Sequence, residues 1–110
     1  MTALKKELDC LTSLMKEQEC YRKYQETLNI IRKTPELYDR LNEYRRKNVE
    51  LHYQKQTLKD EAGLEKQYHD FLEQDVVHEF LYWEQQTLKM LRMIYKEIGE
   101  ALVLDYSFLS

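Results

Sequence analysis

The stretch Val76–Leu102, VVHEFLYWEQQTLKMLRMIYKEIGEAL, decides the fold. Within it Val77, Leu81, Glu84, Leu88, Leu91, Tyr95, Ile98 and Leu102 recur at intervals of four and three residues, the spacing that lines side chains along one face of an α-helix. Phe80, Thr87 and Ile94 lie beside this seam and broaden it, as expected of a bundle helix that meets two neighbours. The pattern predicts one helix from about Val76 to Leu104, roughly 43 Å long at about 1.5 Å per residue. A rod of that length exceeds the width of a compact domain of this size and needs a partner.

Working back toward the N-terminus, the same period recurs. Leu4, Leu8, Leu11 and Met15 predict a first helix with Thr2 as its N-cap, and Tyr21, Tyr24, Leu28 and Ile31 predict a second after a break between Ser13 and Glu19. Pro35 starts a new helix, because it disfavours the helical region for Thr34 and is suited to the first helical position. Leu37, Leu41, Tyr44, Asn48, Leu51, Lys55 and Leu58 form its seam, with two polar members. The strongest break is Asp60 to Gly63, Gly63 being suited to a left-handed helix end. Leu64, Tyr68, Phe71 and Leu72 then predict a short helix, with Asp75 capping the last one. The apolar tail 104–110 is expected to dock through Tyr106, Phe108 or Leu109 on the bundle or on a second subunit.

Composition agrees with this reading. Two glycines and one proline in 110 residues, with 34% charged and 43% hydrophobic, leave too few turn formers for a β-sandwich, a doubly wound sheet or a glycine-rich phosphate loop. The expected fold is therefore all-α: a single domain over 1–110, an antiparallel bundle of four to five helices with long middle and C-terminal members. The net charge of −3 conceals an asymmetry. Residues 1–59 carry 13 Lys/Arg against 9 Asp/Glu, whereas residues 60–110 carry 4 against 11. The two halves are expected to attract each other, and a nucleic-acid footprint over the whole surface is disfavoured. Cys10 and Cys20 form no C-x-x-C, no apolar signal region opens the chain, and no stretch approaches a membrane span. A cytoplasmic protein with reduced thiols is expected.

Glu84 stands in the apolar seam, where an unpaired carboxylate costs several kcal/mol. Either it anchors register by pairing with an Arg or Tyr of the basic half, or the seam is wide enough there to leave it wet. Asn48 poses the same question in the middle helix, while the stem of Lys55 can reach solvent. Tyr21-Arg22-Lys23-Tyr24 and Tyr44-Arg45-Arg46-Lys47 interleave aromatics with cations, a pattern for single-stranded RNA. The tyrosines keep core spacing, however, and buried rings leave no stacking platform. Direct contact with nucleic acid is not expected. His69 and His78 share helix faces with acidic residues but lack the three or four converging ligands of a metal site. No cation cluster or helix terminus activates a cysteine. No catalytic, metal or cofactor site is expected.

Asp75, Val76, Val77, Phe80, Leu81, Glu84, Gln85, Leu88, Leu91, Ile94, Ile98 and Leu102 resemble the last helix of the YlbF/YmcA family of small bacterial helical proteins. The stretch Glu19 to Leu41 (ECYRKYQETLNIIRKTPELYDRL) is similar to that family's E-x-Y-x-x-Y block and the start of its middle helix. The resemblance spans about residues 17 to 103. It implies a cytoplasmic helical oligomer without enzymatic activity; Bacillus members are developmental regulators acting through a complex that steers the ribonuclease RNase Y. Trp83 departs from the family's small alanine, and no cysteine cluster accompanies the chain, so the iron–sulfur role of some relatives is not expected. The expected function is regulation or scaffolding through protein–protein contacts, as a homo-oligomer. Leu81, Leu88, Leu91, Tyr95 and Ile98 are expected to build the bundle, and Phe80, Tyr82 and Trp83 to offer an interaction surface. Gly99, inside so regular a seam, is expected to mark close approach of another helix.

Overall fold

The computed structural model describes residues 2–53 and 58–109. These form six α-helices and a closing 3-10 turn: α1 Thr2–Lys16, α2 Glu19–Arg32, α3 Pro35–Tyr53, α4 Leu58–Gln67, α5 His69–Leu72, α6 Asp75–Leu102, and the turn Ser107–Leu109. No strand occurs among the described residues. The chain is all-α, with a long C-terminal helix as its spacing predicts.

α2 runs antiparallel along the first half of α6. Cys20 lies 3.9 Å from the Met90 sulfur at one end, and the Tyr24 ring meets Phe80 edge-on further along, centroids 5.4 Å apart. α4 folds back on α3: Tyr44 packs edge-on against Tyr68, and the Arg40 guanidinium lies over both Tyr68 and Phe71. The core gathers where these pairs meet: Leu28 and Ile31 from α2, Leu41 from α3, Leu64 from α4, Tyr68 and Phe71 around α5, and Val77 and Phe80 from α6. Thr27, the buried polar residue beside them, donates its hydroxyl to the Lys23 and Tyr24 carbonyls within its own helix.

Helix boundaries follow local chemistry, with several corrections to the sequence reading. The first break falls at Glu17 and Gln18, where Gln18 is extended (φ −68°, ψ 145°). Thr2 lies inside α1. The Thr34 carbonyl accepts the first amide bond of α3, from Tyr38, and Pro35 opens that helix as expected. Gly63, expected to close it, instead lies inside α4 with an ordinary helical φ. A glycine there costs about 1 kcal/mol relative to alanine, less than the helical continuity gains by burying Leu64 and Tyr68. The interruption comes five residues later at Tyr68, which divides the expected single helix into α4 and α5 and makes six helices of the expected four to five. Lys55 of the middle seam lies outside the described residues. Gln74, not Asp75, precedes α6; Asp75 is its first residue, its carboxylate favourably placed at the positive end of the helix dipole. α6 stops at Leu102 because Val103 turns left-handed (φ 47°), two residues before the expected end.

The core is small for the chain. The radius of gyration is 17.9 Å, against about 13 Å for a compact domain of this length. The accessible surface is 9119 Å², against roughly 6,500 Å² for a folded monomer of this mass. The excess has a definite address: α1 contains no buried residue, and from Leu91 onward α6 carries its seam in the open. Leu88, Leu91, Tyr95 and Ile98, expected to build a bundle on their own chain and on a symmetry mate, are exposed within the single chain. Gly99 has nothing within 4 Å of where a Cβ would stand, so among the described residues no helix of the same chain approaches it. The tail residues Tyr106, Phe108 and Leu109, expected to dock on the bundle or on a second subunit, are exposed among the described residues.

Candidate interaction site

α2, α3 and α6 converge around a groove of about 740 Å³ whose walls include Tyr21, Tyr24, Tyr44, Arg45, Glu84 and Leu88. At its floor the Arg45 Nη2 lies 2.8 Å from the Glu84 Oε2. Glu84 is thus partnered and not left wet, and its partner is an arginine of the basic half. Burial nevertheless holds the Glu84 carboxyl above its ordinary pKa, with the Arg45 charge and hydrogen bond opposing that rise. Burial likewise raises the Tyr44 phenol, helped by the nearby Glu65 and Glu84 charges. Arg45 and Glu84 thus join the basic and acidic halves of the chain, whereas Lys5–Asp9, Lys23–Glu26, Lys47–Glu43, His69–Glu73 and Lys96–Glu100 pair residues three or four apart in sequence.

Substituting Arg45 with alanine strands a half-buried carboxylate and is expected to lower stability by roughly 2 kcal/mol at neutral pH. The pH dependence has a definite sign. A carboxyl whose folded pKa is raised contributes stability that is fully present below its unfolded value and lost as pH rises through the folded one. Removing Arg45 raises the folded pKa further, so the gap between wild type and Arg45→Ala narrows as pH falls from 7 toward 4.5. Urea denaturation at both pH values measures it, and the comparison cancels carboxylates common to both proteins.

The basic and aromatic residues are largely committed to packing. Tyr24 lies against Phe80, Tyr21 stacks on Tyr24 at 6.2 Å, and Tyr44 lies against Tyr68. Arg45 pairs with Glu84 and sits over the Phe80 ring; Lys47 pairs with Glu43 and approaches Tyr68. Arg22, Lys23 and Arg46 remain exposed. The half-buried Asn48 borders the same groove.

The expected surface on α6 is divided. Phe80 is fully buried and is a core residue, not part of an interaction surface: it faces α2 because its position abuts the seam on the side that Tyr24 covers. Tyr82 is half exposed and meets the half-buried Trp83 edge-on at 4.8 Å. Leu88 links the groove to the uncovered end of α6, where Leu91, Tyr95 and Ile98 follow in the open, and Leu4 and Leu8 are similarly exposed on α1.

Two contacts escaped the sequence reading. The Tyr68 hydroxyl donates to the Glu43 carboxylate at 2.6 Å, a bond that holds the Glu43 carboxyl below its ordinary pKa with help from Lys47. Arg40 covers the Tyr68 and Phe71 rings. Neither Glu43 nor Arg40 differs in sequence from a solvated helix charge, and the Tyr68 and Phe71 rings they meet lie at least 25 residues away.

Among the described residues no group of three or more His, Cys, Asp or Glu side chains is placed to hold a metal ion. His69 instead pairs with Glu73. No described helix is long and apolar enough to cross a membrane.

Fold and surface together define a small all-helical protein that leaves long apolar helix faces uncovered. The chain belongs to the YlbF/YmcA family, described as control of competence regulator ComK, whose profile matches residues 4–103. That description is of a regulatory factor and not of an enzyme. No curated protein and no solved structure matches the chain significantly.

Proposed function

We propose that this chain is a non-enzymatic cytoplasmic regulator or scaffold that works through helix-mediated contacts with other proteins and with copies of itself. Its role is that of the YlbF/YmcA factors that modulate RNase Y-dependent RNA processing and development. The observation that carries this reading is the uncovered apolar seam of α6 from Leu88 to Leu102, with Leu4 and Leu8 of α1 exposed as well. Contiguous apolar surface of this extent on a small protein marks a protein contact, and membership in a family of regulators supports the same reading. Affinity capture from native cytosol with the tagged chain is expected to retain RNase Y or proteins bound to it. Capture that recovers the chain and none of these overturns the assignment.

Direct RNA binding through Tyr21, Arg22, Lys23, Tyr24, Arg45, Arg46 and Lys47 is the competing reading. It requires accessible rings beside free cations, while Tyr24 and Tyr44 pack inward and Arg45 and Lys47 hold carboxylates. Titration with single-stranded RNA at about 50 and 200 mM salt is expected to show no binding at either concentration. A complex that weakens steeply between them would restore the RNA reading.

A further inference from the structure

We propose that α6 lengthens when a second copy of this chain covers its open stripe: residues 103–109, which leave the helix at Val103, join it and carry Tyr106, Phe108 and Leu109 into the contact. The inference rests on the self-association proposed above and adds to it a segment and a conformational change. It stands on the helix end, the register of the tail and the tail's own conformation.

Val103 adopts φ 47° and ψ 65°. Glycine is the usual residue at a left-handed helix end, and a branched side chain there is strained because its Cβ crowds the following carbonyl. No Gly, Pro or Asn occurs from 103 to 110, so no turn-forming residue stops the helix. The register also survives the break. Leu81, Leu88, Tyr95, Leu102 and Leu109 stand seven residues apart, and so do Phe80, Thr87, Ile94, Ala101 and Phe108. Both rows cross Val103 in step, as the face of one continuous helix does. Tyr106, four residues past Leu102, falls beside the first row. Leu104, Tyr106, Phe108 and Leu109 are all more than half exposed. The tail is already coiled in part, with the Leu109 amide donating to the Tyr106 carbonyl in the turn Ser107–Leu109. Returning Val103 to the helical region and closing 104–106 would lengthen α6 by about 10 Å.

The same segment explains why the single chain stops short. Asp105 would place a carboxylate at the negative end of the lengthened helix, and the last turn of α6 holds no basic residue to offset it. In the single chain the Asp105 carboxylate instead accepts the Ser107 amide. Lengthening therefore requires burial of Tyr106, Phe108 and Leu109, which only a covering molecule provides. Asp105 itself lies at the edge of the stripe near the new end, where water reaches it. The area agrees with a second copy as that molecule. The surface in excess of a folded monomer is roughly 2,600 Å² per chain, of the order hidden by each subunit of an obligate dimer, about 1,000 to 2,500 Å². A second copy brings the same stripe and the same tail, so one two-fold contact orders both tails at once.

The test uses the full chain in three forms: wild type, Val103→Gly and Val103→Ala. A helix places residue 103 about 100° round from Leu102, and Val103 is 82% exposed, so both substitutions change backbone preference without removing a contact. Glycine suits the left-handed end and alanine the helix. By sedimentation, the dissociation constant is expected to be roughly thirtyfold higher for Val103→Gly than for Val103→Ala, the helix-interior difference between the two residues counted once per copy. Hydrogen exchange read by mass spectrometry is expected to show the amides of 104–109 exchanging freely in dilute wild type and protected in the dimer. Circular dichroism of the dilute variants checks that both stay folded. A dimer whose tail amides exchange as fast as the monomer's, or equal dissociation constants for the two variants, overturns the lengthening while leaving self-association in place. A wild type that stays monomeric at high micromolar concentration overturns both.

Discussion

Replacing Phe80 with alanine is expected to lower the free energy of unfolding by about 3–5 kcal/mol, the largest loss that a single truncation in this chain produces. Phe80 is fully buried and lies where three helices meet. Tyr24 of α2 presents its edge to the ring, and Arg45 of α3 lies over it, 5.4 Å from the centroid. Alanine forfeits the transfer free energy of the ring and leaves a cavity that rigid helices fill only in part. It also removes the apolar body beneath the Arg45–Glu84 pair. At about 4–8 °C per kcal/mol, the melting temperature falls by roughly 15 °C or more. Urea denaturation measures the loss, with Tyr82→Ala as the control. Tyr82 is half exposed two positions along the same helix, and its truncation is expected to cost less than about 1 kcal/mol. Equal losses would contradict the assignment of Phe80 to the core and Tyr82 to the surface.

The second large effect concerns assembly and spares the chain's own fold. Leu91 and Ile98 are 38% and 47% exposed, so Leu91→Asp/Ile98→Asp leaves the core residues untouched. In a dimer that covers these positions, each subunit loses two apolar contacts worth about 1.5–3 kcal/mol apiece. The dissociation constant is expected to rise by about four powers of ten or more, with helix content retained. Sedimentation velocity reads the change, and the melting temperature of the variant should lose the concentration dependence that self-association imposes. A variant that sediments like wild type would place the contact elsewhere.

How much of this was legible beforehand depended on whether a signal was periodic or tertiary. The seam of α6 and the stripes of α1 and α2 were readable because a helix face repeats at fixed intervals whatever covers it. Pro35 was readable because its ring acts locally. Gly63 misled because the local preference for a helix end is about 1 kcal/mol, and burying Leu64 and Tyr68 on α3 outweighs it. Glu84 announced itself by breaking the seam, yet naming Arg45 among the basic residues required the placement of α3 beside α6. Phe80 and Tyr82 show the same limit: both are aromatic and flank one seam, and only the position of α2 decides which is buried. The sequence pattern identifies an apolar stripe without stating whether its own chain or another molecule covers it. For α6 the answer changes along one helix, covered as far as Phe80 and progressively open from Leu88.

The open surface is there to be covered by protein, beginning with a second copy. Light scattering on wild type eluting from gel filtration, across low to high micromolar loading, tests it most directly. The expected mass is at least twice the 13.5 kDa of the chain, falling toward that value only on dilution. A mass of 13.5 kDa at every loading would contradict it.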